Sequence, residues 1–154
     1  MSVLKGKRNV STAEYVKLAS DIFDETLQFI SRVSNRYVRL IGPDIMHLAG
    51  EVEDNCDAAN RVNPKTKGQF EYRERHLLEA LGATSALDVR MSKVYRIMMK
   101  NPQGCFTDTK GETLEASKAV QRLDTMAQSL GEKIDQEMKL IQGVLNSDQA
   151  RWPS

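Results

Sequence analysis

The chain has 154 residues, 40% of them apolar and 28% charged, with four prolines and 6% aromatics. That is enough to bury one core without a metal or disulfides, and it argues against both a disordered chain and an aromatic-rich sandwich. The net charge of +1 identifies no partner by itself, and no run approaches the roughly 18 apolar residues of a membrane span. The two cysteines show neither a pairing motif nor zinc spacing, and the N-terminus has no signal-like apolar run, so a reducing, cytoplasmic setting is expected.

Residues 1–10, with Lys5, Lys7 and Arg8 and no periodicity, read as a flexible basic tail ahead of a bundle domain over 11–146. Ser11 to Glu14 has the spacing of a capping box, so helix 1 is expected to start there. Val16, Ala19, Phe23, Leu27, Ile30, Val33, Tyr37 and Leu40 then recur at three and four, giving an apolar stripe of about seven turns. Whether that helix loosens at Ser31 to Asn35 or continues to Ile41 is open. Arg32, Arg36 and Arg39 lie on its reverse near the end, where cations suit the helix dipole.

Gly42-Pro43 is the first clear break, because glycine leaves a helix readily and proline suits a first turn. Helix 2 follows, with Ile45, Leu48, Ala49, Val52, Cys56, Ala59 and Val62 on its apolar side, and Asn63-Pro64 stops it. Lys65 to Gly68 reads as a turn. Helix 3 then runs from about Gln69 to Lys100, with Leu77, Leu81, Thr84, Leu87, Met91, Val94 and Met98 facing a core and Arg90, Lys93, Arg96 and Lys100 well away from that stripe.

Residues 101–111 form the longest irregular stretch, with Thr109 and Glu112 as a possible second capping box and Thr113 as a rival cap. Helix 4 presents Ala116, Val120, Leu123, Ala127, Leu130, Ile134, Met138, Ile141 and Leu145, ends near Asn146, and leaves a tail over 147–154. The economical arrangement is an all-α, antiparallel up-down-up-down four-helix bundle. In it the ends of helices 1 and 3 share one pole. Arg32, Arg36, Arg39, Arg90, Lys93, Arg96 and Lys100 then form a candidate cationic surface for a phosphate backbone or an acidic partner. A weaker basic stretch, Arg61, Lys65, Lys67, Arg73 and Arg75, belongs to the other pole.

Metal and catalytic chemistry find less support. Asp44, His47 and Glu51 lie along one helix side, and Glu51, Asp54, Glu71 and Glu74 loosely echo the magnesium carboxylates of all-α nucleotide pyrophosphohydrolases, a reading that requires the four acids to converge. Cys56 reads as a buried structural thiol, and Cys105 is expected at the surface of its loop, with no histidine near it in sequence. No catalytic residue, metal site or cofactor is assigned.

The runs ETLQFISR at 25–32, RYVRLIGPDIMHLAGEVEDNCDAAN at 36–60 and RERHLLEALGATSALDVRMSKVY at 73–95 resemble the accessory variability determinant of diversity-generating retroelements. That family is related to the four-helix proteins encoded in ribosomal-RNA intervening sequences. The resemblance implies a non-enzymatic partner of a reverse transcriptase, assembled as a pentameric ring of four-helix bundles. It further implies a cationic surface engaging the polymerase and its template RNA or cDNA during mutagenic synthesis. By charge and helix position, that surface would be the arginines and lysines at 32, 36, 39, 90, 93, 96 and 100. The alternatives are the magnesium-dependent hydrolase and a bundle that only self-assembles or binds protein.

Overall fold

The computed structural model describes residues 13–107 and 110–153, so the basic tail, the Ser11 cap and Thr109 lie outside the described residues. Four helices appear, α1 Glu14–Ile30, α2 Asn35–Asn60, α3 Lys67–Met98 and α4 Ala116–Arg151, with a short 3-10 turn, η1 Gln103–Phe106, between the last two. They pack as a four-helix bundle in which each helix touches its neighbours round the ring and α2 and α3 share the most extensive interface. Cross-helix pairs fix the directions. Tyr15 near the start of α1 bonds Asn60 at the end of α2, and Arg90 late in α3 pairs with Asp44 early in α2. Arg73 early in α3 pairs with Asp148 late in α4, while Glu25 late in α1 meets Ser129 and Lys133 in α4. Every neighbouring couple therefore runs antiparallel.

Helix 1 ends earlier than its stripe suggests. Arg32 and Val33 donate to the carbonyls three residues back, the Ser31 hydroxyl donates to Gln28 O at 2.6 Å, and Ser34 turns extended to start α2. Val33 is drawn into the core beside Phe29 and Ile30, which reverses the chain at 31–34. The buried positions of α1 are Tyr15, Leu18, Ala19, Ile22, Thr26, Phe29 and Ile30: Ala19 and Ile30 fall on the expected stripe, while Tyr15, Ile22 and Thr26 replace its Val16, Phe23 and Leu27 one residue earlier. Leu27, Tyr37 and Leu40 are consequently exposed, Leu40 by 77%.

Gly42-Pro43 is not a break but lies inside α2. Pro43 is solvent-facing, so the Arg39 carbonyl that loses its helical partner can turn to water. Gly42 is buried because it allows close packing: a Cβ there would sit 3.1 Å from Val38 Cγ2. Downstream the stripe is as expected, with Ile45, Ala49, Val52, Cys56 and Ala59 buried.

α3 begins two residues before the expected start, under a complete capping box in which Thr66 accepts from Gln69 N and the Gln69 amide reaches back. It ends at Met98, and its core face is the expected one. α4 starts with Glu115 at its cap, so Thr113 plays no capping part, and it runs past Asn146 to Arg151. That extension buries Asp148 and stacks Trp152 on Phe70, with ring centroids 6.2 Å apart. The core divides into two apolar clusters, one toward the 31–34 turn and one toward the 61–66 turn.

Candidate functional site

The pole carrying the 31–34 turn and the 99–115 connection holds the expected cations, all of them exposed. The early end of α1 changes their setting. Arg36 sits in the first turn of α2 and Arg39 just beyond it, not at a helix C-terminus. The dipole there disfavours positive charge by roughly 0.3–1 kcal/mol, and no acid occupies that first turn to offset it. Helix-end electrostatics thus explain Arg96, in the last turn of α3, but not Arg36.

The cations are spread round the pole and do not form one continuous face. Arg90 reaches across the α2–α3 seam to Asp44 at 3.5 Å, an exposed pair of small energetic value. Lys93 and Arg96 lie on the outer side of α3 and Lys100 in the turn that follows it, and among the described residues neither they nor Arg36 and Arg39 make an ion pair. Arg32 turns the other way, toward α4, with its guanidinium 5.2 Å from the Phe106 ring centroid. Arg122 joins it there at 5.8 Å. Sequence reading missed Arg122 because acids and bases balance along helix 4 and nothing local marks one arginine in it. Only the fold brings η1 between the end of α1 and the start of α4.

η1 is held in place by its own connection. Gln103 Nε2 donates to Leu114 O at 3.1 Å, Cys105 N donates to Pro102 O at 3.1 Å, and Cys105 and Phe106 are buried against the core. Cys105 is therefore not the surface thiol expected of its loop; burial raises its pKa although Arg32 nearby pulls it down. A Cβ at Gly104 would meet the amide end of the exposed Asn101 side chain, which would have to swing aside.

In the opposite basic stretch Lys65 and Lys67 are exposed, and the three arginines are engaged. Arg73 is mostly buried, bonding Asp148 at 2.7 Å and Val62 O at 3.1 Å, while Arg61 pairs with Asp57 at 2.8 Å and Arg75 lies over Tyr72. Nor do the acids assemble: among the described residues no three His, Cys, Asp or Glu side chains converge to hold a metal ion. Asp44 is engaged by Arg90, and His47 meets only Glu51 at 3.0 Å. The convergence that the hydrolase reading requires of Glu51, Asp54, Glu71 and Glu74 is not met. Cys56 is fully buried, and burial pushes its thiol pKa well up, as a structural cysteine requires. No described helix is long and apolar enough to cross a membrane.

Neither a family model, a curated protein nor a solved structure matches this chain.

Proposed function

We propose that the chain is a non-enzymatic accessory protein that binds a reverse transcriptase, the partner implied by its resemblance to the retroelement accessory determinants, and helps hold the template RNA at its cationic pole in support of mutagenic cDNA synthesis. The observation carrying this reading is the set Arg36, Arg39, Lys93, Arg96 and Lys100: exposed, without carboxylate partners among the described residues, and in the case of Arg36 placed against its helix dipole. Side chains so arranged gain affinity from displaced counterions when they meet a phosphate backbone. A cytoplasmic location belongs to the same reading.

Self-assembly, with a pentameric ring as the form the resemblance implies, is part of the proposal. Leu27, Tyr37 and Leu40 near this pole, and Leu78 and Val89 three turns apart along α3, are large apolar groups left in solvent by the single chain. Solution mass measured by light scattering tests this part; a monomer at all concentrations would refute it.

The polymerase and RNA parts are tested together by charge reversal of Arg36, Arg39, Lys93 and Arg96 to glutamate. The expected outcome is loss of RNA retention and of co-purification with a co-expressed retroelement reverse transcriptase, with helicity unchanged. The slope of log affinity against log salt should flatten by about 0.7 for each single-strand phosphate contact removed. Undiminished binding would remove the pole from the interface.

A further inference from the structure

One cleft gathers like charge with no counter-charge among its described lining residues. It opens between the end of α1 and the second turn of α4, has a volume of about 460 Å³, and takes Phe106 as its floor. Arg32 and Arg122 flank it, each guanidinium within the roughly 6 Å reach of a cation–π contact with that ring. Gln28, Gln121 and Thr125 complete the wall with amide and hydroxyl groups. Phe106 is only 7% exposed, so the ring is a fixed support for both arginines and not itself a stacking platform.

Both arginines are exposed, and each presents at the cleft wall a planar guanidinium with no carboxylate partner among the described residues. A group that carries negative charge and several acceptor oxygens complements such a wall, because each planar guanidinium can donate two parallel hydrogen bonds to it. The neighbouring amides add neutral donors. The cleft also falls in the roughly 300–1,000 Å³ range of small-ligand pockets.

We propose that this cleft binds a single phosphate group carried by a nucleotide, either free in solution or as one unit of an RNA strand. The RNA form rests on the reading of the pole given above; the free-nucleotide form does not.

The full chain is titrated calorimetrically with adenosine 5′-monophosphate, inorganic phosphate and adenosine. Both phosphate probes are expected to bind saturably and adenosine is not. The double variant R32Q/R122Q is expected to weaken the monophosphate at least tenfold. Because those arginines also cover Phe106, T125E provides a second variant that keeps both arginines and puts a competing carboxylate in the wall. It is expected to weaken binding similarly, with the circular dichroism of the wild type. A labelled oligouridylate distinguishes the sources. RNA affinity falling in both variants, with the monophosphate competing, supports a unit of an RNA strand; RNA affinity unchanged while the monophosphate is lost supports a free nucleotide. Monophosphate binding no better than adenosine, or undiminished in both variants, overturns the proposal. The pole reading would still stand in that event if RNA binding remains sensitive to R36E/R39E.

Discussion

Glu137 has no solvent exposure, and neither carboxylate oxygen has a hydrogen-bond partner among the described residues. It lies on α4 between Ile134 of one apolar cluster and Ile141 of the other. Burial pushes its pKa up to about 8, so at neutral pH it is held protonated. Tyr15 from α1 and Cys56 from α2 lie close enough to be raised further by an ionised Glu137, both being raised mainly by burial, and neither a phenol nor a thiol can supply positive charge. The folded pKa exceeds the unfolded one of about 4.3, so between these values the fold keeps a proton that the unfolded chain has released. Glu137 therefore costs least at acid pH, and stability falls as pH rises from about 4.5 toward 8. Urea unfolding of E137Q across that range should show a shallower loss than the wild type, and E137L should be more stable at pH 7 by about 1–3 kcal/mol. Equal slopes would mean that the carboxylate finds relief the geometry does not show. Thr26 poses a smaller version of the same problem, its buried hydroxyl having no partner among the described residues, and T26V is expected to be neutral or to raise stability by up to about 1 kcal/mol.

Among the helices, α4 depends most on its far end. Its last turns extend beyond the apolar stripe because Asp148, with a side chain only 6% exposed, pairs with the mostly buried Arg73. Removing one partner of such a pair leaves the other charged and desolvated, so D148A should cost about 3 kcal/mol in thermal or chemical unfolding. A loss below 1 kcal/mol would show that water reaches Arg73 freely. At the start of α3 the Thr66–Gln69 box satisfies helix-end amides at the surface, and T66A should cost only about 1 kcal/mol. The contrast between these variants separates a buried tie from an exposed cap. Residues 31–34 work differently, since they act by reversing the chain and so set which helix end carries Arg36 and Arg39.

For the molecule as a whole, the amphipathic repeats alone are enough to specify an all-α bundle, because four apolar stripes of this length have no other way to leave water together. In α4 the expected Ala116 is exposed while Ala119, Glu137 and Asp148, absent from the expected stripe, are buried, but most of each stripe in α2 and α3 was legible, as was burial of Cys56. Phase in α1 was not, since Tyr15 and Thr26 look indifferent in a periodicity count while Leu27 and Leu40 look like core. The end of α1 was equally hidden: a turn at Ser31 to Ser34 carries no glycine or proline, whereas Gly42-Pro43 advertises a break that packing against Val38 and an exposed proline ring make unnecessary. Local chemistry therefore determined the helices and the pole on which most of the cations fall. Which arginines stand alone and which meet an acid, and the joining of Arg32 to Arg122 over Phe106, were decided only when distant segments closed on one another, since charge pairing depends on distances through space that sequence spacing encodes only within a single helix.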